Sequence, residues 1–278
     1  MSGYEAWVGR TETRAERVEP AQALKMAATL DRPVPAEGDP LPPGWHWMLF
    51  NAAEPRGALG PDGHPKRGGF LPPVELPRRM WAGGRLSFLA PLRVGVHAVR
   101  RSEIVKVESK SGKTGALVFV TVRHAIDAAG GRVLEEEHDI VYRDAPEPGA
   151  PAPKPVAPPE GAALSRVVVP DPTLLFRYSA LTFNGHRIHY DQPYATKVEG
   201  YPGLVFHGPL TATLLMALCE ELGAAPLARF AFRGVAPLFD TAPFTIRAKR
   251  GDDGSISAWA ETPEGALAMT AEAGLTRP

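Results

Sequence analysis

The chain is 278 residues long and carries 31 Lys and Arg against 31 Asp and Glu, a formal net charge of zero. That length can bury the core of one large domain or two ordinary ones, and the balanced charge gives no footprint for nucleic acid or an anionic membrane. No apolar run nears the roughly 20 residues that cross a bilayer, the opening residues lack the order of a secretory leader, and the single Cys219 forbids an internal disulfide or thiolate cluster. A globular, cytoplasmic protein is expected.

The first predicted element is a helix over Glu19–Leu30, with Pro20 early and good helix formers after it. Residues 31–79 are rich in Pro, Gly and charge, interrupted by the aromatic patch Trp45–Phe50. A loop this long in a compact domain often lines a binding site. From Met80 the pattern shifts to period two. Runs at Leu86–Leu89, Val94–Val107, Ala116–Ile126 and Val133–Tyr142 read as consecutive antiparallel strands, broken by Pro91, by Ser111-Gly112-Lys113 and by Gly130-Gly131.

Residues 144–160 hold seven prolines and almost no large apolar side chain. Such a stretch favours extended polyproline geometry and acts as a spacer. It divides the chain into residues 1–143 and 161–278, so two domains are expected. The second half opens in loop-rich sequence and then shows a helix at Pro209–Gly223, apolar on nearly every face down to Cys219. A helix of that kind is wrapped by other structure. Strand-like runs follow at Phe230–Val235, Phe244–Lys249, Ser255–Glu261 and Leu267–Ala273. A swallowed helix followed by antiparallel strands implies a sheet curled around it, and the fold class is α+β.

Chemistry concentrates at Phe176–Asp191, where Asn184, His186, Arg187, His189 and Asp191 crowd together, and at His207-Gly208 where the buried helix begins. A histidine moves protons near neutral pH. The free N–H groups and positive end of a helix can hold a developing oxyanion, and a glycine there lets a carbonyl oxygen come close.

The segments FRYSALTFNGHRIHYD and EGYPGLVFHGPL resemble the MaoC-type hot-dog enoyl-thioester hydratases and dehydratases. The branch they resemble contains mesaconyl-C4-CoA (3-methylfumaryl-CoA) hydratases and mitochondrial-type 3-hydroxyacyl-thioester dehydratases. LPPGWHWMLF, LPRRMWAGGRL and GALVFVTVRH resemble the N-terminal dehydratase-like domain of the same two-domain proteins. The resemblance implies two hot-dog domains in a double hot dog, with the catalytic groups in the C-terminal one and the N-terminal one completing a thioester tunnel. The family pattern Gly-Asp-x-Asn-Pro-aliphatic-His ends on His189, with Ile188 as the aliphatic position. Its usual Asp, Asn and Pro fall on Asn184, His186 and Arg187, so the Asp/His pair of the broader family is not intact.

The implied activity is reversible addition of water across the C=C of an enoyl-CoA such as mesaconyl-C4-CoA, giving citramalyl-CoA. His189 would carry the proton, Gly208 N–H would hold the thioester oxygen, and Asn184 would orient water. Asp191 or His186 would tune His189, and Arg187 would meet a second substrate carboxylate; His207 completes the expected substrate-binding set. No cofactor, metal, nucleic acid or membrane is expected, and the assembly is expected to be a homodimer of double hot dogs. Three alternatives stay open: a dehydratase for unbranched 3-hydroxyacyl-CoA or carrier-protein substrates, a non-catalytic acyl-CoA binder argued from Asn184, and a metal hydrolase using His186, His189 and Asp191. His46, His64, His97, His124 and His138 are assigned no chemistry, and Trp45, Trp47, Tyr178, Phe183 and Cys219 are read as packing.

Overall fold

The computed structural model describes residues 3–112, 115–144 and 154–276. Residues 145–153 of the expected spacer lie outside the described residues. The first half contains β1 (Thr11–Arg17), α1 (Pro20–Leu30), a short 3₁₀ turn at Trp45–Met48, β2 (Arg78–Phe88), β3 (His97–Gly112), β4 (Gly115–Ala128) and β5 (Gly131–Arg143). The second contains β6 (Leu164–Val168), α2 (Pro172–Leu181), α3 (Gln192–Lys197), α4 (Gly208–Gly223), β7 (Leu227–Gly234), β8 (Phe244–Arg250), β9 (Ile256–Glu261) and β10 (Leu267–Leu275).

These strands form one sheet in the order β1-β3-β4-β5-β2-β7-β10-β9-β8-β6. Each half places its first strand on the outer edge and its second at the centre, with a three-strand meander between. The halves join where β2 pairs antiparallel with β7, from Gly83–Arg233 to Ser87–Arg229. This is the α+β double hot dog that the sequence implied.

Local chemistry accounts for the elements. β4 alternates buried and partly exposed positions, with Val118, Val120 and Val122 inside, the period of a half-buried strand. Its hairpin to β5 turns through Ala129 (φ 47°) and Gly130 (φ 92°), the paired left-handed residues of a type I′ turn. α4 buries Leu210, Ala212, Leu215, Met216, Leu218 and Cys219 against β7–β10. Each large apolar side chain so buried contributes about 1.5–3 kcal/mol. The helix stops at Ala224 in the left-handed region (φ 52°), one residue beyond the expected Gly223.

Two sequence expectations need correction. The loop-rich opening of the second half holds β6, α2 and α3. Asp171 caps α2, its Oδ1 accepting from Thr173 N (2.8 Å) and Leu174 N (3.0 Å), with Pro172 at the first helical position; that start signal is legible once the cap is sought. The first half, in turn, has no long central helix among its described residues. The turn Trp45–Met48 packs there instead, with Trp47 edge-on to Trp81 of β2 and Phe232 of β7.

Candidate active site

The site begins where α2 ends. Phe183 takes a left-handed φ of 49°, reversing the chain, and Asn184 Oδ1 accepts from His186 N at 3.0 Å, closing an Asx turn. A 3₁₀ turn at Arg187–His189 follows, and Asp191 Oδ1 caps α3 by accepting from Tyr194 N at 3.1 Å. This run of tight turns presents His186 and His189 on consecutive short elements.

His189 is buried, and its Nδ1 lies 2.7 Å from Val205 O. A carbonyl only accepts, so Nδ1 carries the hydrogen and Nε2 of the neutral ring keeps its lone pair. Burial pushes the ring's pKa down to about 4, against a smaller upward pull from the Val205 bond. At neutral pH His189 is therefore an uncharged base with a fixed tautomer. His207 stacks on it at 3.8 Å between centroids, and its Nε2 pairs with Ser179 Oγ at 2.8 Å. His207 is fully buried, so it backs His189 instead of facing substrate as the sequence suggested.

His207 also precedes α4, whose first residue is Gly208. The first-turn N–H groups have no partner within the helix and sit at its positive end. A Cβ added to Gly208 would meet nothing within 4 Å. The open side of this helix terminus is thus a place where a carbonyl oxygen can dock.

The third component comes from the other half. The loop between Arg56 and Pro77 crosses onto the motif, and Gly63 (φ 87°) meets Gly185 so closely that a Cβ on either would overlap the other's carbonyl. Arg187 N donates to Asp62 O at 2.9 Å and its guanidinium donates to Pro61 O at 3.0 Å. The same guanidinium pairs with Asp191 at 2.7 Å and lies over the Tyr194 ring. Arg187, expected to meet a substrate carboxylate, and Asp191, expected to tune His189, are therefore bound to each other and hold the loop in place.

The crossing carries Asp62 and His64 into the site. His64 Nδ1 lies 3.0 Å from Asp62 Oδ2, and Asp62 Oδ1 accepts from His64 N at 3.1 Å. The His64 ring sits 4.1 Å from the His186 ring, which meets His189 edge-on at 5.5 Å. Burial is the largest single influence on Asp62 and would raise its pKa, but the side-chain and backbone bonds to His64 and the pull of the His64 and His186 rings together hold it well below the carboxylate range. Burial lowers His64, with Asp62 pulling the other way, and it pushes His186 down to about 2.

His64 and His186 line a cleft of about 600 Å³ with Arg67, Arg79, Ile188 and Tyr194. Arg67 donates to the carbonyls of Val74 and Pro77, whereas Arg79 makes no ion pair among the described residues.

Asp62, His64 and His186 offer ligand atoms within 4.8 Å of one another, as do His124, Glu136 and His138 in the first half. In the first group the carboxylate and His64 Nδ1 already bond each other, so they form a hydrogen-bonded pair before they form a ligand set. The metal set weighed from sequence is not among the groups that come together, and its Asp191 is taken by Arg187.

Sequence reasoning missed Asp62, His64 and Arg79. Their only signal was the long Gly/Pro-rich loop, whose landing point is a tertiary fact.

The family model for hydroxyacyl-thioester dehydratase type 2 matches residues 44–240. The chain belongs to that family. It is 52% identical over 271 residues to the mesaconyl-C(4)-CoA hydratase of Chloroflexus aurantiacus, covering 96% of this chain and 95% of that protein. It is 31% identical to the mitochondrial hydroxyacyl-thioester dehydratase type 2 of Schizosaccharomyces pombe, over 80% of this chain and 84% of that one. The crystal structure of a MaoC-like dehydratase from Phytophthora capsici shares the fold, with a TM-score of 0.73 at 16% identity, covering 98% of this chain and 97% of that one. The family member described here is a carbon–oxygen lyase acting on acyl thioesters.

Proposed function

We propose that this family member hydrates mesaconyl-C4-CoA (3-methylfumaryl-CoA) reversibly to citramalyl-CoA. The observation that carries the chemistry is His189, neutral, buried and tautomer-fixed, in the same motif cluster as the open N-terminus of α4. The 52% identity over nearly the whole chain supports the substrate.

In this reading His189 Nε2 takes a proton from water as the water oxygen bonds to the β-carbon. The π pair moves onto the thioester oxygen, which Gly208 N–H holds; losing one such donor costs about 10²–10³ in rate in other enzymes. Asn184, whose Oδ1 is used in its own turn, is left with its amide N–H₂ to orient the water. The free carboxylate on the β-carbon is met by Arg79 in place of the committed Arg187. Residues 1–143 and 161–278 act as the two hot-dog units, joined by the 144–160 spacer. The N-terminal unit closes the site with its 56–77 loop. A cytoplasmic homodimer completes the proposal; among the described residues no helix is long and apolar enough to cross a membrane.

The test is loss of the enoyl-thioester ultraviolet absorbance with mesaconyl-C4-CoA and, in parallel, with crotonyl-CoA. Faster turnover of mesaconyl-C4-CoA is the expected result. A preference for crotonyl-CoA would transfer the assignment to an unbranched-chain dehydratase, and tight binding without turnover of either would make the protein an acyl-CoA binder.

A further inference from the structure

The motif position that usually supplies a carboxylate holds Asn184, and the carboxylate nearest the motif in its pattern, Asp191, is occupied by Arg187. His189 itself has only a neutral carbonyl on its Nδ1. The hydration proposed above passes through a state in which a proton has left water and has not yet reached the α-carbon. In a buried site an imidazolium with no carboxylate behind it is costly.

We propose that Asp62 and His64, delivered from the N-terminal half, are the second proton-carrying pair of this site and replace the carboxylate missing at position 184. The proposal rests on the hydratase reading. Three observations carry it. Asp62 Oδ2 bonds His64 Nδ1 at 3.0 Å, which makes Nδ1–H the donor and leaves Nε2 free to exchange protons. His64 and His186 present ligand nitrogens within 4.8 Å of each other, and His186 in turn abuts His189, so the three rings form a continuous row. The loop is also fixed to the motif through backbone, by Arg187 N to Asp62 O and by the Gly63–Gly185 contact, a rigidity that a proton-transfer group requires.

The step balances without an outside reactant. All three histidines begin neutral and Asp62 ionised. Water's oxygen bonds to the β-carbon, one water O–H bond breaks, and that proton goes to His189 Nε2. The C=C pair moves onto the thioester oxygen at Gly208 N–H. The proton passes from His189 through His186 to His64, where Asp62 stabilises the imidazolium. The electron pair returns from oxygen as the α-carbon takes the proton from His64 Nε2, and every histidine is again neutral.

The groups facing His64 are Asp62 on its own loop, His186 on the motif segment, Arg79 on β2 and Arg67 on the loop. Asp62 alone favours the imidazolium; Arg79, Arg67 and burial oppose it. Removing the Asp62 charge therefore makes the His64 cation harder to form.

The experiment compares His64→Gln and Asp62→Asn with the full-length wild type on mesaconyl-C4-CoA and crotonyl-CoA, with thermal melting measured alongside. His64→Gln is expected to lower kcat about 10²-fold, the lower end for a general acid–base group, with KM changed less than about three-fold. Asp62→Asn is expected to lower kcat less and to move the acid limb of the kcat profile to lower pH. Retention of kcat within about two-fold in both variants would overturn the pair. So would losses of kcat that track a lowered melting temperature with the acid limb unmoved, since that is the mark of a clamp alone. A wild type active on crotonyl-CoA and silent on mesaconyl-C4-CoA would sink the substrate assignment, and the same two variants would then judge the pair on crotonyl-CoA. A wild type silent on both would refute the pair together with the hydratase reading.

Discussion

The two halves share one topology and line it with opposite chemistry. The β2–β7 ladder is centred on the Arg85–Ala231 pair. About that centre, Glu136 and His138 of β5 correspond to Ala271 and Ala273 of β10, and His124 of β4 corresponds to Ala258 of β9. In the C-terminal half the alanines leave room for α4 to lie directly on the sheet. In the N-terminal half a buried carboxylate and two imidazoles fill that space, and the element above them shrinks to the turn Trp45–Met48. Its own side chains complete the network: His46 Nε2 reaches Glu136 Oε2 at 2.6 Å and Trp47 Nε1 donates to both Glu136 oxygens. One half thus spends its interior on packing, and its long helix begins at the uncrowded Gly208. The other spends its interior on a buried polar cluster and sends its long loop across to its neighbour.

Breaking the C-terminal site gives the largest expected effect. His189→Ala removes the proposed proton carrier and is expected to lower kcat by about 10²–10⁴, read as loss of enoyl absorbance change, with the fold retained by circular dichroism. An unchanged rate would remove His189 from the chemistry.

On the N-terminal side the corresponding effect falls on stability. His46→Ala takes away one of the side chains that bond the buried Glu136 carboxylate, which costs about 3–5 kcal/mol, measurable by denaturant unfolding. A loss below about 1 kcal/mol, the value of an exposed pair, would show that the cluster is solvated.

Both halves share an acid sensitivity whose sign is fixed. Burial pushes His138 and His189 down from 6.5 to about 4, so between those values the unfolded chain binds more protons than the folded one. Stability is then lost as pH falls from 6.5 towards 4. Burial would raise the Glu136 pKa, but the surrounding histidines hold it well below the carboxylate range. Its contribution is present above that range and disappears only at still lower pH. Melting temperature should be level above pH 6.5 and fall below it; a level curve down to 4 would contradict the burial of these rings.

Arg79→Gln sharpens the assignment of substrate charge to the N-terminal half. Loss of one charged hydrogen bond, about 1.5–3 kcal/mol, should raise KM for mesaconyl-C4-CoA at least ten-fold and leave crotonyl-CoA unchanged. The smallest effect belongs to the seam. Arg187→Met removes a half-exposed ion pair with Asp191 and should cost about 0.2–1 kcal/mol, with a larger loss signalling that the guanidinium's bond to Pro61 O carries the loop.

What could be read from sequence follows from local rules. Period-two runs marked β2–β5 and β7–β10, because alternation is a property of neighbouring residues. The all-round apolar face of 209–219 marked α4 as a wrapped helix, and the ordered run from Asn184 to His189 marked the motif. α2 was legible in Asp171-Pro172, although the aromatic and polar residues after it obscured the periodicity. Edge strands β1 and β6 were not, since sequences such as TETRAER bury little and carry no clear pattern.

The amino-acid sequence by itself determined the double hot dog and the family, and it singled out His189 and Gly208 as candidates, because each is written in contiguous residues. Tertiary structure alone decided which charges are free. Arg187 and Asp191 are neighbours on one turn and neutralise each other, whereas Asp62, His64 and Arg79 reach the motif from far along the chain. A side chain's availability depends on what else the fold brings within a few ångströms, and no local pattern encodes that distance.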